Sequence, residues 1–563
     1  MRLFISIFLG FVMNWTTICA QNVENINFLS QLEYDINLSD IWGYTDENGR
    51  EYALVGLVNG TSIVDLADPR NPVEISFIEG GTSIWKDLKT YKNKAYVVGE
   101  YRDGLQIIDL SNLPNAVDST QYFFWEEIIP NVGKVESCHN LYIEEATGVA
   151  YLSGCIAVNG GVIMLDLKGD LPVYLGTTPN PYSHDVYVRN DTVYSSDVFN
   201  GFLSIIDATD KQNPTIINTQ RTPRQFTHNA WLSDDGNTVF TTDEVGDAPV
   251  AAYDISDLEN IKLIDRFYPN NTRNTGLVPH NVHVKDDFLV TSYYAEGVVI
   301  TDASRPNNLV QVGQYDTYLG PNSGFNGAWG VFPFFESGII IVSDQTNGLF
   351  VLQPTYQRAS FFEGVIRDAA SGNGLANVAI KGVFRNTVVI DQRSGVDGKF
   401  NIGTTLSGAI EFTFSKQDYR TETVIIDLVN GELAERSLNL LPTGVSISST
   451  DFSGCAPHEV TFSTVGAPIE QFQWTFEGGT PASSTEANPT IIFEKEGSYG
   501  IQLASTFDGQ PLNLQQSNLI RVTDVPTANF SFTQDRKQYT FTNLSEDADS
   551  FLWDFGTGDF EYV

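Results

Sequence analysis

Four of the six histidines in this 563-residue chain begin closely similar phrases, and an aspartate or asparagine follows each of them. The phrases are CHNLYI from 138, SHDVYV from 183, THNAWL from 227 and PHNVHV from 279. Imidazole nitrogens are common ligands of zinc, copper and iron, and carboxylates often complete such sites. If the fold brings these histidines together, they could hold a divalent transition metal.

The candidate metal ligands are His139, His184, His228 and His280. We expect carboxylates from a second class of loops to reach the same face of the fold: Glu100, Asp197, Asp243, Glu244, Glu296 and Asp344. His283 follows His280 on the same predicted strand and is the best candidate for an additional ligand.

A structural interpretation competes with the metal site. In the other three copies of the repeat described below, the histidine position aligns with Trp42, Trp85 and Trp329. Tryptophan cannot bind a metal through its side chain, but like histidine it has a flat ring with an N–H donor. The sequence favours this interpretation, with rings separated by a central channel and no cofactor. A divalent transition metal is the alternative.

Other catalytic signals are missing, and no catalytic residue is predicted. The chain contains no HExxH, GxSxG, phosphate-binding glycine loop or CxxC. Asp234-Asp235-Gly236-Asn237 is typical of a β-turn rather than a calcium loop. The longest irregular segments, 123–137, 266–279 and 316–327, are predicted to crowd one face, where recognition is expected. The sequence therefore favours binding over catalysis, with the ligand-binding residues unknown.

The histidine phrases belong to a repeat that returns seven times. Each copy continues to a strand, a tight turn and a strand that usually ends in Asp: NGTSIVDL (59), DGLQIIDL (103), GGVIMLDL (160), NGFLSIID (200), APVAAYDI (248), EGVVITDA (296) and NGLFVLQP (347). The units are about 45 residues long and rich in β-forming residues, with no sustained helical periodicity. Four short strands per unit predict an all-β fold with a seven-bladed β-propeller over 21–357.

Six units also contain a fourth strand, and the seventh lacks one. These strands are VEISFI (73), AVDSTQYF (116), PVYLGT (172), TIINTQ (215), IKLIDRF (261) and LVQVGQY (309). The N-terminal segment INFLSQLEY (26–34) has the same character. We expect it to complete the last blade, which removes a free sheet edge.

The strands SIVDL, QIIDL and SIIDA, with the turns DPRNP and DKQNP, resemble the LVIVD-repeat family of exported bacterial propellers, in the arrangement called choice-of-anchor B. Residues 361–442, with FFEGVIRDAASGNGLANVAI and SGVDGKFNIG, resemble a carboxypeptidase regulatory-like β-sandwich. Residues 446–524, with WTFEGG at 474, resemble a PKD β-sandwich; 527–563 match the start of a second copy, so we expect a truncated sequence. The resemblance implies a secreted or cell-surface protein with spacer domains and no agreed chemical activity.

Export is also predicted from the chain itself. Arg2 precedes an apolar run, and Ala20 offers a cleavage point before Gln21, so 1–20 form a signal peptide. The 70 acidic against 32 basic residues, a net charge of −38, argue against nucleic acid or anionic membranes. No later run is long and apolar enough to span a membrane. We predict a monomer whose partner is an extracellular glycan, peptide or surface protein.

Export permits disulfides. If the turn between two strands centres on Ala146–Thr147, Cys138 and Cys155 lie opposite each other, at a separation that a disulfide can span. The alternative is two small buried apolar residues.

Overall fold

A computed structural model describes residues 23–562 except 102, 126–127, 130–131, 180–181, 271–274, 322–323, 508, 547–549 and 556–559. The predicted signal peptide and parts of the loops 123–137, 266–279 and 316–327 therefore lie outside the described residues. Within them the chain is almost entirely β, as predicted, without an α-helix and with one 3-10 turn at Ile156–Val158. No described helix is long and apolar enough to cross a membrane.

The described chain forms two compact units, the first containing the chain up to Phe361 together with Ile402–Ser407 and Val429–Glu432. Besides the short pair Ile128–Ile129 with Gly133–Lys134, seven antiparallel sheets of four or five strands are described before residue 355, numbered here by the chain order of their innermost strands. From the innermost strand outward, sheet 1 consists of Leu38–Thr45, Glu51–Leu57, Gly60–Asp65 and Val73–Glu79, and sheet 2 of Lys86–Tyr91, Lys94–Gly99, Leu105–Asp109 and Tyr122–Trp125. In the same order, sheet 3 consists of Asn140–Glu144, Val149–Ser153, Ile163–Asp166 and Val173–Thr177, and sheet 4 of Asp185–Arg189, Thr192–Asp197, Phe202–Asp207 and Thr215–Arg221. Sheet 5 consists of Thr227–Leu232, Thr238–Asp243, Val250–Asp254 and Lys262–Phe267. Sheet 6 consists of Val282–Lys285, Phe288–Ser292, Val298–Asp302 and Val310–Tyr315, with Val23–Glu24 on its outer edge. Sheet 7 consists of Ala328–Phe332, Ile340–Asp344, Gly348–Pro354 and Ile26–Leu32.

The innermost strands of sheets 1 to 6 are neighbours in turn. The innermost strand of sheet 7 lies against the second strand of sheet 6 and against the innermost strand of sheet 1. The hydrophobic core lies between successive sheets; Leu54 of sheet 1 and Val97 of sheet 2, for example, belong to one buried cluster. Ile26–Leu32 pairs with Gly348–Pro354, as predicted. The arrangement is consistent with the predicted seven-bladed propeller.

Short polar turns end the third strands. In six sheets the third strand ends in an aspartate whose carboxylate accepts a hydrogen bond of 2.8–3.0 Å from the backbone N–H two residues later. These aspartates are Asp65, Asp109, Asp166, Asp207, Asp254 and Asp302. The predicted turn role of this repeated Asp is confirmed. The predicted turn at Asp234–Asn237 is confirmed as well, because Gly236 N–H donates to the carbonyl of Ser233.

One predicted outer strand is displaced. The sequence predicts it over 116–123, whereas the structure begins it at Tyr122 and ends it at Trp125. Asp118 forms a turn with Thr120 just before it, with an N–H to carboxylate distance of 2.8 Å, and this turn delays the strand.

The cysteine pair lies beside the first histidine of the repeat. In sheet 3, Asn140 faces Ser153 and Glu144 faces Val149, which is the register that a turn centred on 146–147 predicts. Cys138 and Cys155 lie just beyond these strands and are joined by a disulfide.

From Ser360 onward the strands form small paired sheets. Those before residue 441 are Ser360–Asp368 with Lys399–Thr404, Leu433–Glu435 and Leu438–Leu440, and Ala379–Phe384 with Thr387–Arg393, Gly408–Ser415 and Glu422–Leu428. Those that follow are Val445–Ser449, His458–Gly466, Thr490–Phe493 and Gly479–Thr480, and Ser453–Cys455, Gln510–Thr523, Gly497–Phe507, Glu470–Phe476 and Ser483–Ser484. Trp474 and Phe476 are buried in this last core, with ring centroids 5.8 Å apart. The final described strands are the pairs Phe530–Asp535 with Gln538–Asn543 and Leu552–Asp554 with Phe560–Tyr562. These sheets are consistent with the predicted β-sandwiches.

Candidate metal centre

The four histidines occupy equivalent places at the start of innermost strands. The backbone N–H groups of His139, His184 and His280 donate to the carbonyls of Ser153, Ser196 and Ser292 at 2.9, 2.8 and 2.9 Å. His228 lies at a register shift, where Thr227 pairs with Asp243 but Asn229 pairs with Thr242. Such bulges redirect side chains. All four backbone positions therefore open onto the same end of the channel between the sheets.

The four imidazole rings form a contiguous row. The ring centroids of His139 and His184 are 4.0 Å apart, those of His184 and His228 are 4.4 Å apart, and those of His228 and His280 are 4.4 Å apart. The expectation of rings separated by the channel is wrong. The channel is too narrow at this level to keep side chains from neighbouring sheets apart, because the innermost strands of those sheets pack directly against each other.

Glu244 completes the cluster. Its Oε2 lies 3.6 Å from His228 Nε2, and its Oε1 lies 3.9 Å from His280 Nε2. One donor atom each from His184, His228 and Glu244 lies within 4.8 Å of the others, close enough to bind a single ion. A second carboxylate, Glu100, places Oε1 2.7 Å from His139 Nδ1.

The other predicted carboxylates do not join the cluster. Each is held by hydrogen bonds to other residues: Asp197 by Ser195 and Ser204, Asp243 by Thr222 and the backbone N–H of Arg224, Glu296 by Gln314, and Asp344 by the backbone N–H of Thr346 and Asn347. Two of the six predicted carboxylates therefore reach the histidines.

Neighbouring groups orient the ligands. His280 Nδ1 lies 2.6 Å from the carbonyl oxygen of Trp329 and donates to it, so Nε2 keeps its lone pair on the side of Glu244. The hydroxyl of Tyr294 donates to Glu244 Oε1 at 2.5 Å. Such partners fix the tautomer and orientation of metal ligands.

Burial keeps the imidazoles neutral. Desolvation lowers the pKa of His228 and of His280 to about 3 and holds the pKa of His184 well below its usual value; the neighbouring imidazoles add to each of these effects. A neutral imidazole is the form that binds metal. These three side chains are therefore in their ligand form at neutral pH.

Two buried nitrogens lack hydrogen bonds. The Nδ1 atoms of His184 and His228 have no partner among the residues that the structure describes. The backbone carbonyls of His228 and His280 are close enough to raise the pKa of the preceding ring, but they do not have hydrogen-bond geometry. Leaving a buried polar atom without a hydrogen-bond partner lowers the free energy of unfolding by about 1–3 kcal/mol.

The space beside these side chains is small. The volume that the centre of a water molecule can reach is ≈ 20 Å³, and the histidines share its wall with Trp85, Asp87 and Trp329. A volume above about 10–15 Å³ holds one water molecule. The space therefore admits an ion or a water molecule, but no bulky ligand.

The alignment of the tryptophans is partly wrong. Trp329 does share the histidine position, at a register shift like that of His228. In sheet 2, however, the Asp87 side chain accepts a hydrogen bond from the backbone N–H of Leu141, just as the Asn229 side chain in sheet 5 accepts one from Val282. Asp87 is therefore equivalent to Asn229, so Lys86 takes the histidine position and Trp85 precedes it.

Trp42 lies deeper in the channel than the histidines. Its ring packs 4.9 Å from Phe332 and 6.2 Å from His283. The wrong alignment has a physical cause in sheet 1, where the pairing of the first two strands is irregular between Leu38 and Ile41, and a phrase comparison does not detect this shift.

His283 is not an additional ligand. His283 stands three positions after His280, an odd spacing, whereas side chains on one face of a strand are an even number of positions apart. Its ring lies deeper, with centroids 4.7 Å from Trp231 and 5.8 Å from Phe334.

Tyr294 is the site residue that the sequence did not suggest. Tyr294 and Glu244 occupy equivalent positions on their strands. Tyr294 follows Ser292 by two residues, and the backbone N–H of Ser292 donates to the carbonyl of Asn281. Glu244 likewise follows Thr242 by two residues, and Thr242 pairs with Asn229. Glu100 stands likewise two residues past Val98, which pairs with Asp87. Aligning the copies by strand pairing rather than by phrase would have grouped these three residues.

No family model matches the chain, and no curated protein does. A solved structure with detectable likeness is hydrazine synthase of Kuenenia stuttgartiensis, at 12% identity and a TM-score of 0.41, covering 58% of this chain and 98% of that one. We draw nothing about function from that likeness.

Proposed function

We propose that this protein binds a divalent transition metal at the end of the channel, through His184, His228, His280 and Glu244. The observation that carries the proposal is the position of the Glu244 carboxylate, 3.6 and 3.9 Å from two imidazole nitrogens. One oxygen and three nitrogen donors favour zinc, copper or iron over calcium or magnesium.

A cation would resolve the electrostatic problem of this cluster. The pKa values of His184, His228 and His280 are too low for the rings to be protonated at neutral pH, so they do not supply the positive charge that a largely buried carboxylate needs. A metal ion provides that charge and also uses imidazole lone pairs.

The site supports binding more directly than catalysis on a large substrate. His228 and His280 are 4% and 3% exposed, and the adjoining space has room for about one water molecule. Any reaction at the metal would therefore involve a small molecule. A metal-dependent enzyme remains the alternative form of this proposal.

Metal analysis tests the proposal. The chain from Gln21 onward is purified without added metal, analysed for elements, stripped with a chelator and titrated with zinc, copper and ferrous iron by calorimetry. We expect about one equivalent of one metal. Glu244→Gln should weaken binding, whereas Asp197→Asn, a buried carboxylate held by Ser195, should not. Binding of less than about a tenth of an equivalent after soaking in each metal would refute the proposal.

A second proposal concerns the surface around the metal. We propose that the protein is exported or displayed on the cell surface as an LVIVD-type propeller whose histidine end recognises a glycan, peptide or surface protein. Trp85, Phe199 and Phe325 are 42%, 73% and 55% exposed. Trp85 lines the space beside the histidines, and Phe325 packs 5.4 Å from Tyr294. Phe199 packs 4.8 Å from Tyr182. Exposed aromatic rings are typical of interaction surfaces.

The sandwich domains fit this second proposal as spacers of the carboxypeptidase regulatory-like and PKD kinds. Its test is binding to arrays of surface glycans and proteins. The double variant Phe199→Ser and Phe325→Ser should lose the signal, whereas Val396→Ser, at a 93% exposed site in another domain, should keep it. An unchanged signal in the double variant would contradict the proposal.

A further inference from the structure

A larger cavity opens at the other end of the same channel. It has a volume of ≈ 710 Å³, within the range of about 300–1,000 Å³ that is common for ligand sites. Seven aromatic side chains line it, among them Trp42, Tyr142, Tyr187, Trp231 and Phe334. None of the sites described above uses it.

The repeated phrase creates this aromatic lining. Tyr142, Tyr187 and Trp231 each stand three residues after the histidine of their phrase. The ring centroids of Tyr142 and Tyr187 are 4.9 Å apart, and those of Tyr187 and Trp231 are 4.6 Å apart. Phe334 stacks on Trp231 at 5.6 Å with an interplanar angle of 21°. The rings form one connected platform.

Three cationic side chains line the cavity; Lys89 and Arg189 are engaged in ion pairs or hydrogen bonds, and Lys92 Nζ lies 5.1 Å over the ring of Tyr91. Lys89 Nζ lies 4.3 Å over the ring of Trp42 and is paired with Asp87 and Asp40. Arg189 donates to the hydroxyl of Tyr187 at 3.1 Å and to the carbonyl of Ser233 at 2.7 Å.

The acidic wall of the cavity is partly engaged as well. The carboxylate of Glu144 accepts from the hydroxyl of Thr147 and from the backbone N–H of Asn190. Glu144 and Glu145 on the wall oppose an anionic ligand. A cationic ligand would find the Trp42 face already covered by Lys89.

We propose that this cavity binds an uncharged oligosaccharide, with the C–H face of a sugar ring stacked on the Trp231–Phe334 platform and its hydroxyls bonded to the polar rim. Sugars combine an apolar face with a ring of hydroxyls, and this cavity pairs aromatic rings with hydroxyl, amide and guanidinium groups, among them those of Tyr142, Asn190 and Arg189. The inference adds a second site to the proposed binding function and does not depend on the metal.

The probe is a panel of neutral tetrasaccharides built from glucose, xylose and N-acetylglucosamine, titrated into the chain from Gln21 onward. Binding is measured by calorimetry and by tryptophan fluorescence, because Trp42 and Trp231 line the cavity. We expect at least one panel member to bind and Trp231→Ala to weaken it by about 30-fold, the usual effect of removing a central aromatic contact.

The matched control is Trp553→Ala, which removes a tryptophan from the strand Leu552–Asp554 in the other compact unit, and Trp85→Ala at the histidine end is measured beside it. Each should leave sugar binding within about twofold of the parent. Tyr187→Phe removes one hydroxyl without disturbing the platform and should weaken binding by several-fold, so the proposal stays testable if Trp231→Ala fails to fold. Metal content, measured on the same samples, reports separately on the first proposal above. Array binding that Phe199→Ser with Phe325→Ser removes and Trp231→Ala keeps reports separately on the second.

Three outcomes would overturn the inference. The first is that no neutral sugar in the panel binds at millimolar concentration. The second is that acidic oligosaccharides or peptides bind and neutral sugars do not. The third is that Trp85→Ala and Trp231→Ala weaken sugar binding equally, because the sugar would then lie at the histidine end or across the whole channel.

Discussion

The two ends of the channel are built by the same strands and differ in chemistry. At one end, four imidazoles and the carboxylates of Glu100 and Glu244 lie together. At the other end, aromatic rings surround a wide cavity with Lys89 and Arg189 on its wall. Only three residues of each inner strand separate the two. A repeat fold copies each strand position around a ring, so one phrase with histidine and then an aromatic residue produces two distinct sites.

A polar layer lies between these two ends and links neighbouring sheets; its residues are Asp40, Asp87, Asn140, Asp185, Asn229 and Asn281. Asn229 Nδ2 donates to Asp185 Oδ2 at 2.9 Å, and Asn229 Oδ1 accepts from the N–H of Val282 at 2.9 Å. Burial raises the pKa of Asp185 to about 6. Part of this layer is hydrogen-bonded between neighbouring sheets, whereas the side-chain oxygens of Asn140 and Asn281 have no hydrogen-bond partner among the described residues. Since the layer stands between the two sets of side chains, we expect the two ends to respond separately to substitution.

The largest expected effect separates the two ends on a single strand. Removing a group that hydrogen-bonds to a metal ligand typically weakens metal binding by roughly 10–100-fold. His228→Ala removes a ligand itself, so it should weaken metal binding by more than that. Trp231→Ala, three residues further along, should leave metal affinity unchanged. Calorimetric titration of both variants with the preferred metal measures this. Equal losses in both would show that the polar layer does not insulate the ends.

A pH-dependent effect is expected at Asp197, a buried carboxylate outside the histidine cluster. Burial raises the pKa of Asp197 to about 6, above its usual value near 3.8. Between these pH values the folded protein binds more protons than the unfolded chain, so this group's contribution to stability is complete below about pH 3.8 and is lost as the pH rises through 6. Asp197→Asn should therefore gain up to about 3 kcal/mol in unfolding free energy, relative to the parent, between pH 4 and 7.

Urea unfolding at several pH values measures the difference between Asp197→Asn and the parent. Asp207→Asn is the contrasting variant: hydrogen bonds from the side chain and the backbone N–H of Thr209 lower the pKa of that exposed carboxylate, so its difference from the parent should change with pH in the opposite direction. A flat difference for Asp197→Asn would mean that the carboxyl is better solvated than its surroundings indicate.

His184 gives a smaller effect whose direction is informative. Its ring lies between two others, 4.0 and 4.4 Å away, so a larger ring has no room. In chelator, His184→Trp should be less stable than His184→Ala by about 2 kcal/mol, the usual cost of overpacking. Urea unfolding of the two variants tests the order. The structural interpretation requires the reverse, because it treats histidine and tryptophan as interchangeable at this position.

The fold followed from local pattern to a large extent. The outer strand at Thr215–Arg221, the closing strand at Ile26–Leu32 and the turn between Cys138 and Cys155 were predictable because strand alternation and turn residues are visible in sequence. The site was less predictable. The histidines could be grouped by phrase, but the distances between their rings depend on how tightly seven sheets pack around the channel.

Register errors explain most of the remaining differences. A shift of one residue in sheet 2 placed Lys86 where the phrase suggested Trp85, and such a shift moves a side chain to the other face of the strand. The aromatic cavity went unnoticed because its residues are ordinary β-formers in sequence. Only the ring of sheets shows that Tyr142, Tyr187 and Trp231 face one space.

The smallest predicted effect tests the residue that sequence reasoning missed. Tyr294→Phe removes the hydroxyl that holds Glu244 Oε1 while keeping the ring that packs 4.8 Å from His280. Metal affinity should fall about tenfold, or about 1.4 kcal/mol, because the carboxylate loses its orientation but remains in place. Tyr187→Phe, a hydroxyl removed at the other end, should leave metal affinity unchanged. If Tyr294→Phe has no effect, Glu244 does not need its partner, and the metal centre is positioned by the imidazoles alone.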